Sequence, residues 1–175
     1  MHEGRCLCGN IAFAVEGPPN DIINCHCYFC QRATGSAYLV ETMFDIDKFH
    51  LLYGTPRVYH HISAGSGKAI HIHFCEDCGT KTHMRFDRFP TSVGVFSGTF
   101  DQPDWFERTH DSALHFFLST APKGTVLPAG YAVYDAHYWQ ADGVVATPQI
   151  FDVNVLVTDE VQAKSRERLR GSGLG

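Results

Sequence analysis

All 7 cysteines of this 175-residue chain fall in three tight clusters: Cys6-Leu7-Cys8-Gly9, Cys25-His26-Cys27-Tyr28-Phe29-Cys30 and Cys75-Glu76-Asp77-Cys78-Gly79. Thiolates separated by one or two residues are spaced to close on one metal ion, and zinc is the usual occupant of such sulfur sets. Each of the two pairs is followed by a glycine that permits a tight turn. Turns of that kind aim backbone N–H groups at the sulfurs and steady their negative charge. Cys6, Cys8, Cys75 and Cys78 can therefore face each other across one closed zinc site. That site would tie the amino-terminal strand to the middle of the chain, its binding energy of about 10 to 16 kcal/mol becoming folding energy. Cys25, Cys27 and Cys30 have no partner pair. They can hold a second zinc with a fourth position left for water, an outside thiol, or a nearby histidine or carboxylate. Closed sites fold proteins, and open sites do chemistry.

Thiols also serve as disulfides, as buried apolar side chains and as redox groups. A disulfide framework needs an even cysteine count and an oxidising compartment, whereas the count is odd and Met1-His2-Glu3-Gly4-Arg5 opens no apolar signal segment. Buried apolar cysteines would be scattered. A redox role for Cys75-Glu76-Asp77-Cys78 remains open, although Gly79-Thr80 is a poor start for the helix such a motif requires. His26, between two candidate ligands, should turn its ring away from the metal, a hydrogen-bonding or packing role standing beside ligation as the alternative. The remaining histidines form no H-x-x-x-H pair on a helix and read as surface or core residues.

The elements that must position these residues are mostly strands. Short runs of period two, bounded by glycine, proline or asparagine, predict strands at Ile11–Val15, Ala37–Thr42, Arg57–Ile62, Ala69–Phe74, Thr80–Phe86, Ser92–Phe96, Leu114–Leu118 and Phe151–Val157. Within Ala69–Phe74 the alternation places Ile70, Ile72 and Phe74 toward a core and His71 and His73 on the opposite face. Helix is scarce: Asp104–Arg108, and Asp159–Leu169 with Thr158 as its N-cap. No internal repeat or linker divides the chain, so residues 1–160 read as a single zinc-binding domain and 161–175 as a charged, then glycine-rich tail whose arginines form a solvated face.

With 44% hydrophobic and 13% aromatic residues the chain can bury a core of its own, which zinc would lock, not replace. A formal charge of -5 argues against a phosphate-binding surface, so nucleic acid is not the expected partner. No apolar run approaches the length of a membrane span and no lipidation signal is visible. A cytoplasmic, reducing setting is expected. Tyr131, Tyr134, Tyr138 and Trp139 read as core or pocket wall.

The motifs Gly4-x-Cys6-x-Cys8-Gly9, Cys25-His26-Cys27-x-x-Cys30 and Phe74-Cys75-x-x-Cys78-Gly79-Thr80 resemble the glutathione-dependent formaldehyde-activating enzyme family, which includes centromere protein V. The resemblance covers residues 4–86, with weaker echoes at Asp101-x-Pro103, His115 and Leu127-Pro128-x-Gly130. It implies a mainly β fold, the β-tent, of short antiparallel sheets built around zinc. It also implies that Cys6, Cys8, Cys75 and Cys78 hold a structural zinc and that Cys25, Cys27 and Cys30 hold a catalytic one. The implied activity is that of a carbon–sulfur lyase on adducts of a small thiol, glutathione, with formaldehyde. Relatives carry arginine directly after the third cysteine of the middle cluster, where this chain has Gln31 and then Arg32. Arg32, Lys81 and Arg85 could neutralise a substrate carboxylate or form surface salt bridges. The competing reading is a non-catalytic zinc module that recognises protein or chromatin.

Overall fold

Strand-forming runs cut by tight turns give a mainly β protein, described here from a computed structural model over residues 1–139 and 145–171. In chain order the elements are β1 (His2–Arg5), β2 (Ala12–Val15), β3 (Asp21–Cys25), α1 (Tyr28–Thr34), β4 (Leu39–Asp45), β5 (Phe49–Tyr53), β6 (Arg57–Ile62), β7 (Ala69–Phe74), β8 (Lys81–Phe86) and β9 (Phe89–Phe96). They continue with β10 (Ala113–Phe116), β11 (Val126–Leu127), β12 (Ala132–Val133), β13 (Val155–Leu156) and α2 (Asp159–Gly171). The chain clusters into two compact units, one of Met1–Ile22 with Glu41–Glu107, the other of Ile23–Val40 with the described residues from Arg108 onward.

In the first unit β4, β9, β8, β7 and β6 lie side by side in that order, each neighbouring pair antiparallel. A smaller antiparallel sheet has the order β1-β2-β5. The core is aromatic and aliphatic. Phe13 meets Phe49 and Phe100 at ring-centroid distances of 5.5 Å each, and Phe13, Phe44, Val93 and Val95 are buried. Phe49 of β5 also lies 4.4 Å from the ring of His83 on β8. The histidine-bearing face of β7 and β8 is therefore covered at His83. Of the three residues expected to face the core from β7, only Ile72 is fully buried, and Ile70 and Phe74 are half-buried like His71 and His73.

The second unit pairs β10 with β12 in parallel and β11 with β13 antiparallel, and sets β3 on the other side of β10. Its core gathers Leu118, Ala121, Leu127, Val133 and Val157, with Phe151, Val155 and Val161 packed against it. Tyr134 and Tyr138 are half-buried and pack on Phe116 at 5.5 and 5.2 Å, while Trp139 is 37% exposed.

Several expected elements differ. Asp104–Arg108 forms no helix, because Trp105 N–H closes a turn onto Gln102 across Pro103, leaving too few residues to nucleate one. Phe151–Val157 is reduced to the two-residue β13. The predicted strand Leu114–Leu118 ends early: Phe117 adopts φ 63°, a left-handed conformation, and Leu118–Thr120 form a single 3-10 turn. The carboxy-terminal helix forms where expected, with the Thr158 hydroxyl accepting the Val161 N–H at 3.3 Å. Its arginines do more than face solvent. Arg168 grips Asp135 through two hydrogen bonds of 2.8 Å, and Arg166 donates to the carbonyl of Ser119. The last four residues of the expected tail, 172–175, lie outside the described residues.

Candidate metal centres

In the first unit two tight turns bring four sulfurs together. After β1 the Cys6 N–H bonds to the Ile11 carbonyl at 3.0 Å, Gly9 N–H returns to the Cys6 carbonyl, and Ile11 N–H points at Cys6 Sγ at 3.3 Å. After β7 the same construction recurs, with Cys75 N–H on the Thr80 carbonyl at 2.9 Å and Gly79 N–H on the Cys75 carbonyl at 2.8 Å. Both turns pass through a left-handed glycine, Gly9 at φ 81° and Gly79 at φ 73°, a conformation that a side chain would strain. The turns are also tied to each other. Asn10 donates to Asp77 at 2.7 Å, and Leu7 N–H donates to the Thr80 hydroxyl at 3.1 Å.

The Sγ atoms of Cys6, Cys8, Cys75 and Cys78 all lie within 4.8 Å of one another, with Cys6–Cys8 at 3.5 Å and Cys8–Cys75 at 3.6 Å. Tetrahedral zinc with bonds of about 2.3 Å sets its sulfurs about 3.8 Å apart, so the donor set fits that ion. Cys6 and Cys75 are buried with Ile11 in an apolar cluster, and no disulfide joins any of the cysteines. Cys78 is already disposed to ionise. The Thr80 hydroxyl and backbone N–H hold its thiol down to about 5.

In the second unit β3 delivers Cys25 and the chain turns at Cys27 into α1, where Cys27 Sγ accepts the N–H of Cys30 at 3.3 Å as the helix N-cap. The three sulfurs again lie within 4.8 Å of one another, Cys25 and Cys27 at 3.5 Å. Cys25 and Cys30 are buried, whereas Cys27 is partly exposed. Hydrogen bonds from Cys25 and Cys30 push the Cys27 thiol far below the ordinary range, and the same contacts leave the other two thiols well above it. One negative charge therefore sits on Cys27 first. Three thiolates so close together require a cation, which the donor set can hold as zinc with one position to spare. Among the described residues no histidine or carboxylate completes the set.

His26 points its ring into the protein interior and is fully buried. Its Nε2 lies 3.1 Å from His115 Nδ1, Tyr38 packs on it at 4.9 Å, and its own Nδ1 has no hydrogen-bond partner. Burial holds both rings near 4, with the neighbouring His115 adding to the effect on His26, so both are neutral at pH 7. The His26 backbone is clamped from two sides. Gln31 Nε2 donates to the His26 carbonyl at 2.6 Å and to the Thr120 carbonyl at 3.0 Å, and the Thr120 hydroxyl donates to the same His26 carbonyl at 3.0 Å. Thr120 carried no signal in the sequence, since it lies 94 positions from His26. Arg32 is exposed on α1 within this unit, while Lys81 and Arg85 belong to β8 of the other.

No helix is long and apolar enough to cross a membrane among the described residues. A crystal structure of a Rhodobacter sphaeroides protein is similar to this chain, with 20% identity and a TM-score of 0.48, covering 63% of this chain and 97% of that one. The family model described as glutathione-dependent formaldehyde-activating enzyme matches residues 1–120, a span that contains all three cysteine clusters together with Gln31, His115 and Thr120. With that match over more than half its length, the chain belongs to the glutathione-dependent formaldehyde-activating enzyme family.

Proposed function

We propose that the protein is a zinc-dependent carbon–sulfur lyase acting on thiol–aldehyde adducts such as S-hydroxymethylglutathione, or in reverse joining glutathione to formaldehyde. Cys25, Cys27 and Cys30 form the catalytic centre in this reading, and Cys6, Cys8, Cys75 and Cys78 the structural zinc site. The observation that carries the proposal is the incomplete trio, three convergent sulfurs one short of a tetrahedral set, with the member that reaches solvent, Cys27, also the first to ionise. When bound there, zinc supplies a position at which a substrate sulfur is stabilised as thiolate over thiol.

In the lyase direction the carbon–sulfur bond breaks, its electron pair stays on sulfur, and the hydroxyl proton of the adduct leaves as the aldehyde carbonyl forms. The chain's part is to hold and orient. Gln31 and Thr120 fix the loop between Cys25 and Cys27, so the three sulfurs keep their spacing as substrate arrives. Exposed Arg32, on the helix that Cys27 caps, offers a charge to a carboxylate of a glutathione-like thiol. Because addition of a thiol to formaldehyde is intrinsically easy, proximity and exclusion of water are enough for useful rate enhancement. Seven free thiols suit a reducing cytoplasm.

Metal analysis of Cys27→Ser tests the proposal. The variant should keep its fold, lose one of two zinc ions and lose thiol–aldehyde turnover. Wild-type protein that holds two zinc ions yet produces no change in the rate of adduct formation or breakdown would return it to the class of binding modules.

A further inference from the structure

The larger sheet ends in the first unit at β6, whose one strand neighbour among the described residues is β7. The hairpin between them shows which backbone groups β6 leaves unused. Ser63 N–H donates to the Lys68 carbonyl at 3.0 Å, and the Ala69 carbonyl turns the other way to accept Asp87 N–H at 3.1 Å. An antiparallel ladder alternates at every residue, so Tyr59 and His61 bond to β7 while Val58, His60 and Ile62 point their N–H and C=O groups outward. Among the described residues no backbone partner reaches those outward groups.

An open edge invites another strand unless it is blunted. In the same unit β1 is bridged at Gly4 by Phe100, and a bulge interrupts β5 against β2. β6 carries no such device. It pairs through all 6 residues in unbroken register, contains no proline or lysine, and has its arginine, Arg57, at the first position, held by Glu76 at 2.7 Å. The His60 ring is engaged within the sheet, its Nδ1 lying 2.7 Å from Nδ1 of His71. Around it the strand is apolar and open, with Val58 38%, Tyr59 57% and Ile62 63% exposed. We propose that β6 pairs with β6 of a second copy of this chain, antiparallel about a two-fold axis at His60.

The strand is its own complement in that register. Val58 meets the second copy's Ile62, His60 meets His60 and Ile62 meets Val58, so each outward N–H and C=O finds its opposite. A shift of two residues one way sets Ile62 against Pro56, which has no N–H, and the other way sets Val58 against Ala64 in the turn. The side chains agree with the backbone. Val58 and Ile62 form apolar cross-strand pairs on one face, and Tyr59 meets His61 on the other. Arg57 falls opposite Ser63, so no like charges oppose each other directly. One pair of edge strands covers less than the roughly 1,200 Å² of a permanent interface, so the dimer forms and dissociates with protein concentration.

Sedimentation equilibrium of the full-length, zinc-loaded protein, from micromolar to near-millimolar concentration, tests the proposal. Wild type should pass from monomer to dimer. Val58→Lys and Ile62→Glu should each weaken dimerisation by about tenfold or more, and Val153→Lys, at an exposed position elsewhere, should not. An equimolar mixture of Val58→Lys and Ile62→Glu should associate like wild type, because the new cation and the new anion then face each other in this register. His60→Pro removes an outward N–H and no bond to β7, and should also be monomeric. Circular dichroism checks that each variant is folded. Wild type that stays monomeric throughout, a dimer that withstands both charged variants, or a mixture that stays monomeric would overturn the pairing.

Discussion

The side-chain amide of Gln31 donates to the main-chain carbonyl of His26 at 2.6 Å, locking the one residue that separates Cys25 from Cys27. The same amide bonds to Thr120, so Gln31 joins the cysteine loop to the 3-10 turn that follows Phe117. Its place directly after Cys30 reads in the sequence as a departure from an expected arginine and as a question about substrate recognition. In the structure it is a support for the loop. Gln31→Ala should leave the fold intact and reduce zinc retention at the trio by about 10- to 100-fold, the usual cost of removing an outer hydrogen-bond partner from a ligand segment. Competition with a chromophoric chelator would measure this. Retention equal to wild type would show that Thr120 alone holds the loop.

The four-sulfur site makes a larger prediction. A structural zinc contributes on the order of 10 kcal/mol, while a domain of ordinary stability has only about 5 to 15 kcal/mol in total. Removing one ligand from the closed site therefore consumes most of the margin. Cys78→Ser should be unfolded or molten at 25 °C by circular dichroism, and Cys27→Ser should not. A Cys78→Ser variant with the melting temperature of wild type would remove the structural role.

The cysteine clusters were legible because their chemistry is local: sulfur spacing and the glycines at positions 9 and 79 already specify the turns. Helix α1 was not. Its N-cap is Cys27, outside the usual serine, threonine, aspartate and asparagine set, and its seven residues give almost no apolar period. Strands β1, β3 and β5 were missed because runs of 4 or 5 residues show too little alternation to register, and β5 also depends on pairing with the distant β2. The alternation in β7 was read correctly as a strand, yet the conclusion that its histidines face away from a core fails for their neighbour across the sheet. Phe49 comes from another sheet to cover His83, and no local pattern encodes that contact. The pairing of His60 with His71 is equally silent, since it depends on strand register.

Burial of His83 predicts acid sensitivity. Its ring is 5% exposed, stacks on His73 at 4.1 Å and lies 3.1 Å from the Thr82 hydroxyl, with Phe49 above it and Val95 opposite on β9. Burial, and then the charges of His73 and Arg85, lower its pKa from 6.5 to about 3. The unfolded chain takes up this proton near pH 6.5 and the folded one does not. The resulting stability is complete above pH 6.5 and is lost as pH falls toward 3. His83→Gln removes the titrating group while acid release of metal stays common to both proteins. The melting-temperature gap between wild type and variant should therefore narrow from pH 7.5 to pH 5. A gap that is constant with pH would mean that the ring is not the source.

Asp135 predicts an asymmetry within one ion pair. Its carboxylate is 16% exposed and accepts bonds from Arg168, from Ser165 at 2.5 Å and from Gln149 at 3.0 Å, fastening α2 to the segment that carries Tyr134 and Tyr138. Arg168 is 41% exposed, so solvent can replace it and screens the pair. Ser165 is fully buried and has no such recourse once Asp135 is gone. Asp135→Ala should cost about 2 to 3 kcal/mol and Arg168→Ala about 1 kcal/mol or less in urea unfolding. Amide exchange along residues 162–168 should rise more in the aspartate variant. Equal losses in the two variants would mean that α2 is held by the charge pair itself and not by the hydrogen bonds that Asp135 makes beneath it.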